Sequence, residues 1–502
     1  MSIPRASGIL LHPTALPGPH GIGALGTEAR AFVDFLKAAG QSVWQTLPLG
    51  PTGFGDSPYT ALSAFAGNPL LIDLPTLVAQ GDLDPPDLEE TLAPDGPVDF
   101  ANVRRCKEQR LARAAANFPG RADDTRREAF VRFCREQAGW LDDYALFAAL
   151  RQHFHGKTWQ QWPAALRRRD PAALADWRTR LAAAIAAEQY GQYVFYAQWE
   201  ALKNYAHQRG IRLFGDLPIF VALDSADVWS HQHLFRLDAQ GHPTVVAGVP
   251  PDYFSTTGQL WGNPLYRWEA HEASGFAWWR ERFHAELRRA DLVRVDHFRG
   301  FQACWMVPAK EATAVNGSWE EAPGRALFTA LRSVAPDLPI VAEDLGVITP
   351  EVEALRSAFG FPGMKILQFA FDAGPTNPYL PHNYDRDCVV YTGTHDNATT
   401  RGWWDQLDAA QRAQVGIYLG KHHPDIPWDL IRLAMASVAR LCIIPCQDLL
   451  GLDEAARFNR PGQPSGNWQW RLAPGQLTSA LAEKLHALTE TFNRHPGAEP
   501  PL

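Results

Sequence analysis

The 502-residue sequence predicts a (β/α)8 TIM barrel with inserted, mainly helical subdomains around its active-site face. Three observations predict it. Short apolar, strand-like runs alternate with amphipathic, helix-like runs about eight times, the count of such a barrel. A long Ala-, Arg- and Glu-rich stretch with helical spacing interrupts the alternation after the second run. Four of the runs lead into an acid: Asp216, Asp296, Glu343 and Asp396. Strand C-termini converge on one face of a barrel, so acids placed there share a site. Alternation alone also suits a doubly wound open sheet, which is the structural rival.

Along the chain, Gly8–Leu11 reads as the first strand. Thr27–Ala39 follows as a helix with Ala31, Phe32, Phe35 and Leu36 on one face. Ser42–Leu47 is the second strand and stops at Pro48. Gly81–Pro97 is acidic and proline-rich and reads as a loop. Ala101 to about Glu188 reads as an all-helical insertion. The alternation resumes with a helix at Val194–His207 and a strand at Ile211–Phe214. A helix over 276–289 precedes strand Leu292–Val295. A helix over 325–334 precedes strand Ile340–Ala342. Thr349 as N-cap and Pro350 at the first helical position begin the next helix, which leads to strand Met364–Phe369. Strand Cys388–Tyr391, a helix over 429–438, strand Leu441–Pro445 and a helix over 476–493 complete the series. The expected organisation is 1–75 as the barrel start, 76–190 as the helical subdomain and 191–502 as the remaining barrel, with a cleft loop at 245–265.

Composition bounds the function. The chain is 46% hydrophobic and 20% charged, which suits a globular fold. A net charge of −8 argues against a nucleic-acid or anionic-membrane surface. No apolar run reaches the ~18 residues that span a bilayer. Met1-Ser2-Ile3-Pro4-Arg5 opens no signal-peptide apolar region. Six scattered cysteines form no zinc or redox motif. The expectation is a cytoplasmic chain with reduced thiols and neither metal nor cofactor. Eighteen tryptophans are many. Trp229, Trp261, Trp319, Trp468 and Trp470 interrupt polar, loop-like stretches, where an indole either fills the core or stacks on the apolar face of a sugar.

Other motifs carry less. Gly21-Ile22-Gly23-Ala24-Leu25-Gly26 fits G-x-G-x-x-G, but Pro13 to Pro19 separates it from the strand and the second strand ends without an acid. It therefore reads as a close-packed turn at the barrel mouth rather than a dinucleotide site. His231-Gln232-His233 and His422-His423 belong to no ligand set. A serine elbow and a phosphate loop are both lacking.

The acids point to glycosidic chemistry. A retaining enzyme needs an ionised carboxylate as nucleophile and a protonated carboxyl as general acid, about 5–5.5 Å apart. Arg294 lies two residues before Asp296, on the same strand face, and would hold it ionised. Glu343, between Ala342 and Leu345, sits where a less polar setting would raise it to a usable acid.

With these residues in place the chain resembles the 4-α-glucanotransferases, the amylomaltases or disproportionating enzymes of glycoside hydrolase family seventy-seven. The resemblance rests on Gly8-Ile9-Leu10-Leu11-His12-Pro13-Thr14, Gly55-Asp56-Ser57-Pro58-Tyr59, Gly215-Asp216-Leu217-Pro218-Ile219-Phe220, Gly248–Ser255, Gly258–Pro264, Gly466-Asn467-Trp468 and the segments around Asp296, Glu343 and Asp396. It implies a barrel that moves an α-1,4-glucan segment to the 4-hydroxyl of an acceptor glucan or glucose. Asp296 would be the nucleophile and Glu343 the general acid and base. Asp396, beside His395, would grip the distorted sugar. Arg294 would support Asp296, Asp216 would bind the same sugar and Tyr59 would stack on it. Ser57, Asp252, Tyr253, Phe254, Gln259, Trp261 and Asn467 would add glucan contacts. The aromatic segment 252–261 would favour an acceptor sugar over water. Expected partners are maltooligosaccharides, amylose and glycogen-type glucans, met by a monomer. An α-glucan hydrolase and a non-catalytic glucan-binding barrel remain the alternatives.

Overall fold

The computed structural model describes residues 4–251, 255–463 and 465–495. Twelve strands occur in them: β1 Ala6–Leu10, β2 Val43–Gln45, β3 Arg212–Leu217, β4 Val245–Val249, β5 Gln259–Pro264, β6 Leu292–Val295, β7 Ala303–Pro308, β8 Ser318–Glu321, β9 Ile340–Ala342, β10 Gly363–Ile366, β11 Cys388–Tyr391 and β12 Leu441–Pro445. Eight of them form one parallel sheet in the order β10-β11-β12-β1-β2-β3-β6-β9. The sheet curls until its edges meet. The Ala342 N–H donates to the Pro362 carbonyl at 2.9 Å, and the Asp344 carboxylate accepts from the Met364 N–H at 2.7 Å. The result is a (β/α)8 barrel, as the alternation predicts; the open-sheet rival falls away.

These strands read as apolar runs because helices cover one face and the barrel interior the other. Every residue of β1, β2, β6, β9, β11 and β12 is buried. Three expectations need adjustment. Asp216 lies inside β3, which extends to Leu217. The sixth barrel strand ends at Ile366, and Leu367–Phe369 turns as a short 3-10 segment. Trp229 is no loop platform: it is fully buried in the helix Ala226–Ser230, where Arg169 covers its ring at 4.3 Å.

The insertion contains the helices Phe100–Arg121, Asp124–His153, Pro171–Arg180 and Ala182–His207. Asp99 and Asp123 cap the first two by accepting from the N–H groups of Asn102 and Arg126. The helix expected at Val194 starts at Ala182 and runs unbroken into the barrel. It braces the loop that carries Tyr59. The Gln192 amide accepts from the Gly67 N–H at 2.7 Å and donates to the Gly67 carbonyl at 2.9 Å, and the Tyr196 hydroxyl donates to the Phe65 carbonyl at 2.5 Å.

A second sheet, which the strand–helix alternation does not predict, has four antiparallel strands in the order β5-β4-β7-β8. The outer strands β5 and β8 are largely exposed and lack apolar alternation. This sheet grows from the turn Phe298–Phe301 after β6, on the face where the acids converge.

Candidate active site

Strand register puts the first charged groups together. Asp216 pairs with Arg294 across β3 and β6, and Val295 pairs with Ala342 across β6 and β9. Asp296 and Glu343 are therefore the next residues on neighbouring strands. Arg294 binds both carboxylates of its own layer. Its Nη1 donates to Asp216 Oδ2 and Oδ1 at 2.7 and 2.9 Å, and its Nη2 lies 2.7 Å from Asp296 Oδ1. The two-pronged guanidinium explains why arginine stands here, since a lysine ammonium could not present this fork. Tyr59 completes the layer, its hydroxyl donating to Asp216 Oδ2 at 2.8 Å.

Glu343 is held by backbone. Its Oε2 accepts from the His297 N–H at 2.7 Å and its Oε1 from the Leu345 N–H at 2.9 Å. His297 offers that N–H because its φ of 49° folds the chain back sharply after Asp296. Burial pushes the Glu343 carboxyl up to about 7; Arg294 pulls it down, while Asp296 adds to the rise. Such a group gives and takes a proton near neutrality. Burial likewise raises Asp216, against the pull of Arg294. Tyr59 is held well above its ordinary range by burial and by Asp216, so it stays a hydroxyl and a donor.

Asp396 enters from the other side of the barrel, on the loop after β11. Its Oδ1 accepts from Asn459 Nδ2 at 2.6 Å, and its Oδ2 lies 3.3 Å from His395 Nε2. Burial lowers His395, which is thus neutral at pH 7. The His395 ring stacks on Tyr59 at 5.2 Å and 11°, and Trp468 leans on both rings at 5.9 and 6.1 Å. A stacked pair thus bridges the Asp216–Arg294–Asp296 layer and Asp396. Two hollows flank it, one lined by Tyr59, Asp216 and Phe220, the other by His12, His395 and Trp470.

One buried acid fixes the Asp396 loop. Asp448, on the turn after β12, accepts from Thr392 Oγ1 at 2.5 Å, from the Thr400 N–H at 2.7 Å and from Thr400 Oγ1 at 2.6 Å. It clamps both ends of the segment that carries His395 and Asp396.

Comparison with known proteins settles the family. The 4-α-glucanotransferase family model matches residues 11–478. The chain belongs to this family. A 4-α-glucanotransferase of Thermus thermophilus is 52% identical, covering 98% of this chain and 100% of the relative. One from Synechocystis is 51% identical, covering 98% of each. Among solved structures, an amylomaltase of Streptococcus agalactiae in complex with acarbose superposes with a TM-score of 0.94 at 41% identity, covering 98% of this chain and 100% of that one. A Corynebacterium glutamicum amylomaltase, 19% identical, shares the fold with a TM-score of 0.77, over 98% of this chain and 75% of that one. The activity of this chain is accordingly 4-α-glucanotransfer, and the hydrolase and non-catalytic alternatives lose their footing.

Among the residues singled out in the sequence, Asp296, Glu343, Asp396, Asp216, Arg294, His395 and Tyr59 come together. Ser57 does not reach the acids; its hydroxyl accepts from the Tyr59 N–H at 3.2 Å and sets that turn. Trp261 meets His297 edge-on at 4.8 Å and 83°, its indole N–H donating to Gln259 Oε1 at 3.1 Å. Asn467 spends its amide on its own loop, accepting from the Arg460 N–H at 2.9 Å and donating to the Gln463 carbonyl at 2.8 Å. Asp252, Tyr253 and Phe254 lie outside the described residues. Asn459 and Asp448 are functional positions that no sequence motif marks. The glycine-rich segment is a packing device: a Cβ on Gly23 would lie 1.9 Å from the Pro13 carbonyl oxygen. Among the described residues no cluster of His, Cys, Asp and Glu is arranged to hold a metal ion.

Proposed function

We propose that the chain transfers α-1,4-glucan segments by a retaining double displacement, with Asp296 as nucleophile and Glu343 as general acid and then base. One observation carries this assignment. Two carboxyl groups on adjacent strands are set for different jobs: Asp296 is ion-paired to Arg294 at 2.7 Å, while burial pushes Glu343 up to about 7.

In the first half-reaction a carboxylate oxygen of Asp296 attacks the anomeric carbon. The bond from that carbon to the departing 4-oxygen breaks, and Glu343 hands its proton to that oxygen. In the second, the acceptor 4-hydroxyl gives its proton to Glu343 and attacks the same carbon, releasing Asp296. Two inversions leave the α-configuration in place. Arg294 lies against Asp296 throughout. Asp216, Tyr59, His395 and Asp396 ring the position of the sugar undergoing substitution and would take its hydroxyls. Trp261, with Gln259 beside it, would carry the neighbouring units, and the aromatic sequence segment that includes Asp252, Tyr253 and Phe254 would favour an acceptor sugar over water.

Maltooligosaccharides, amylose and glycogen-type glucans fit such a cleft as donors and acceptors, and a chain attacking itself would give cyclic products. We place the protein in the cytoplasm as a monomer; six unpaired cysteines accord with a reducing compartment. Time-resolved products from maltotriose test the reading. Glucose together with longer chains is expected, and glucose with maltose alone would contradict transfer. Asp296→Asn should lower the rate by roughly 10⁴-fold or more while maltotriose still binds.

A further inference from the structure

Two exposed tryptophans flank the turn after β6. Trp261, on β5, stands over His297, whereas Trp319, on β8, lies over Arg299. Those strands are opposite edges of the four-stranded sheet. Trp261 belongs to the cleft segment described above. Trp319 has no part in the chemistry, yet its ring is fixed on one face and one edge.

The Arg299 guanidinium lies 3.7 Å from the Trp319 ring centroid and covers one face. Trp305 meets its edge at 5.2 Å and 68°. Trp305 is itself pinned: its indole N–H donates to the Ala314 carbonyl at 2.8 Å, and a Cβ on Gly317 would come within 2.3 Å of that nitrogen. Arg299 is only 6% exposed, and its Nε has no hydrogen-bond partner. Burial holds the guanidinium below its ordinary range, with no carboxylate opposing the shift. Burying a cation without an acid is costly, so an ion pair does not explain this arginine.

The other face of Trp319 is open. The residue is 43% exposed, and Val347 beside the arginine is 59% exposed. The patch is tied to the loops that follow the two catalytic acids. Arg299 follows Asp296 by three positions and donates through Nη1 to the carbonyl of Val347, which follows Glu343 by four.

We propose that Trp319 is a distal glucan subsite, its free face stacking on a glucose ring of a chain whose reacting bond lies in the adjacent cleft. A flat indole matches the C–H face of a pyranose, and a ring fixed in advance loses little freedom on binding. Arg299 acts through the indole as a positioning residue. The occupant is an α-1,4-glucan long enough to leave the cleft, which maltotriose is not.

This inference rests on the transfer reading, and the parent enzyme's turnover of maltotriose tests that reading separately. The decisive comparison is Trp319→Ala against Trp319→Phe on maltotriose and on amylose. Trp319→Ala should raise KM for amylose about tenfold with kcat within about twofold, the size of one lost stacking contact. Maltotriose kinetics should stay within about twofold, which also shows that the variant folds. Trp319→Phe should restore most of the amylose KM. An unchanged amylose KM would overturn the subsite. So would an equal loss on both substrates, which would make Trp319 a support of the cleft.

Discussion

At the scale of single residues, the site sorts its acids by what each touches. Asp216 and Asp296 share one guanidinium, Glu343 rests on two backbone N–H groups, and Asp396 faces a neutral histidine and an amide. The proton-handling group is thus Glu343, and the sign of its pH effect follows. Attack on the donor needs Glu343 protonated, and its carboxyl titrates at about 7. Below that pH the acid is in place; above it kcat/KM should fall about tenfold per pH unit. A pH profile on maltotriose checks this, and Glu343→Gln should remove the limb together with the activity. Much of this was legible in the sequence. Acids after apolar strands are visible as a pattern, and the two-residue spacing of Arg294 and Asp296 fixes their common face. Asn459 was not legible, because an asparagine in a polar loop has no periodicity to mark it.

At the scale of elements, the precision of the site comes from how its loops are tied. The segment from Thr392 to Thr400 is held at both ends by Asp448, which is 1% exposed and accepts three hydrogen bonds. Asp448→Ala should cost about 3 kcal/mol of stability, measured by denaturation, since bonds to a charged acceptor are worth roughly 1.5–3 kcal/mol each before the site relaxes. The freed loop would shift Asp396, and kcat should fall about 10- to 100-fold with KM less affected. Asp448→Asn, which can still accept from the Thr400 N–H while the hydroxyls reverse direction, should retain more of both. Equal kcat for all three forms would refute the clamp. The barrel strands were readable because both their faces are buried, which writes continuous apolar runs. The antiparallel sheet was not: β5 and β8 lie largely in solvent, and the central pairing of β4 with β7 joins segments distant in sequence. Nor does the sequence mark Asp448, since an acid after an apolar strand looks like an ordinary helix cap.

At the scale of the whole molecule, a barrel gathers residues from distant parts of the chain, and the insertions aim them. Tyr59 arrives on a loop braced by Gln192 and Tyr196 of the long insertion helix, and Trp261 and Trp319 arrive on a sheet rooted in the turn after β6. The count of strands predicted this closure, while the insertion packing depended on side-chain contacts that no periodicity encodes. The central claim is that Asp296 forms a covalent glucosyl-enzyme which Glu343 helps to make and to break. Glu343→Gln given an α-maltosyl fluoride tests it most directly, because fluoride departs without an acid and the intermediate then lacks its base. Peptide mass mapping should find the sugar esterified on Asp296; an adduct on Asp216 or Asp396, or none at all, would contradict the account.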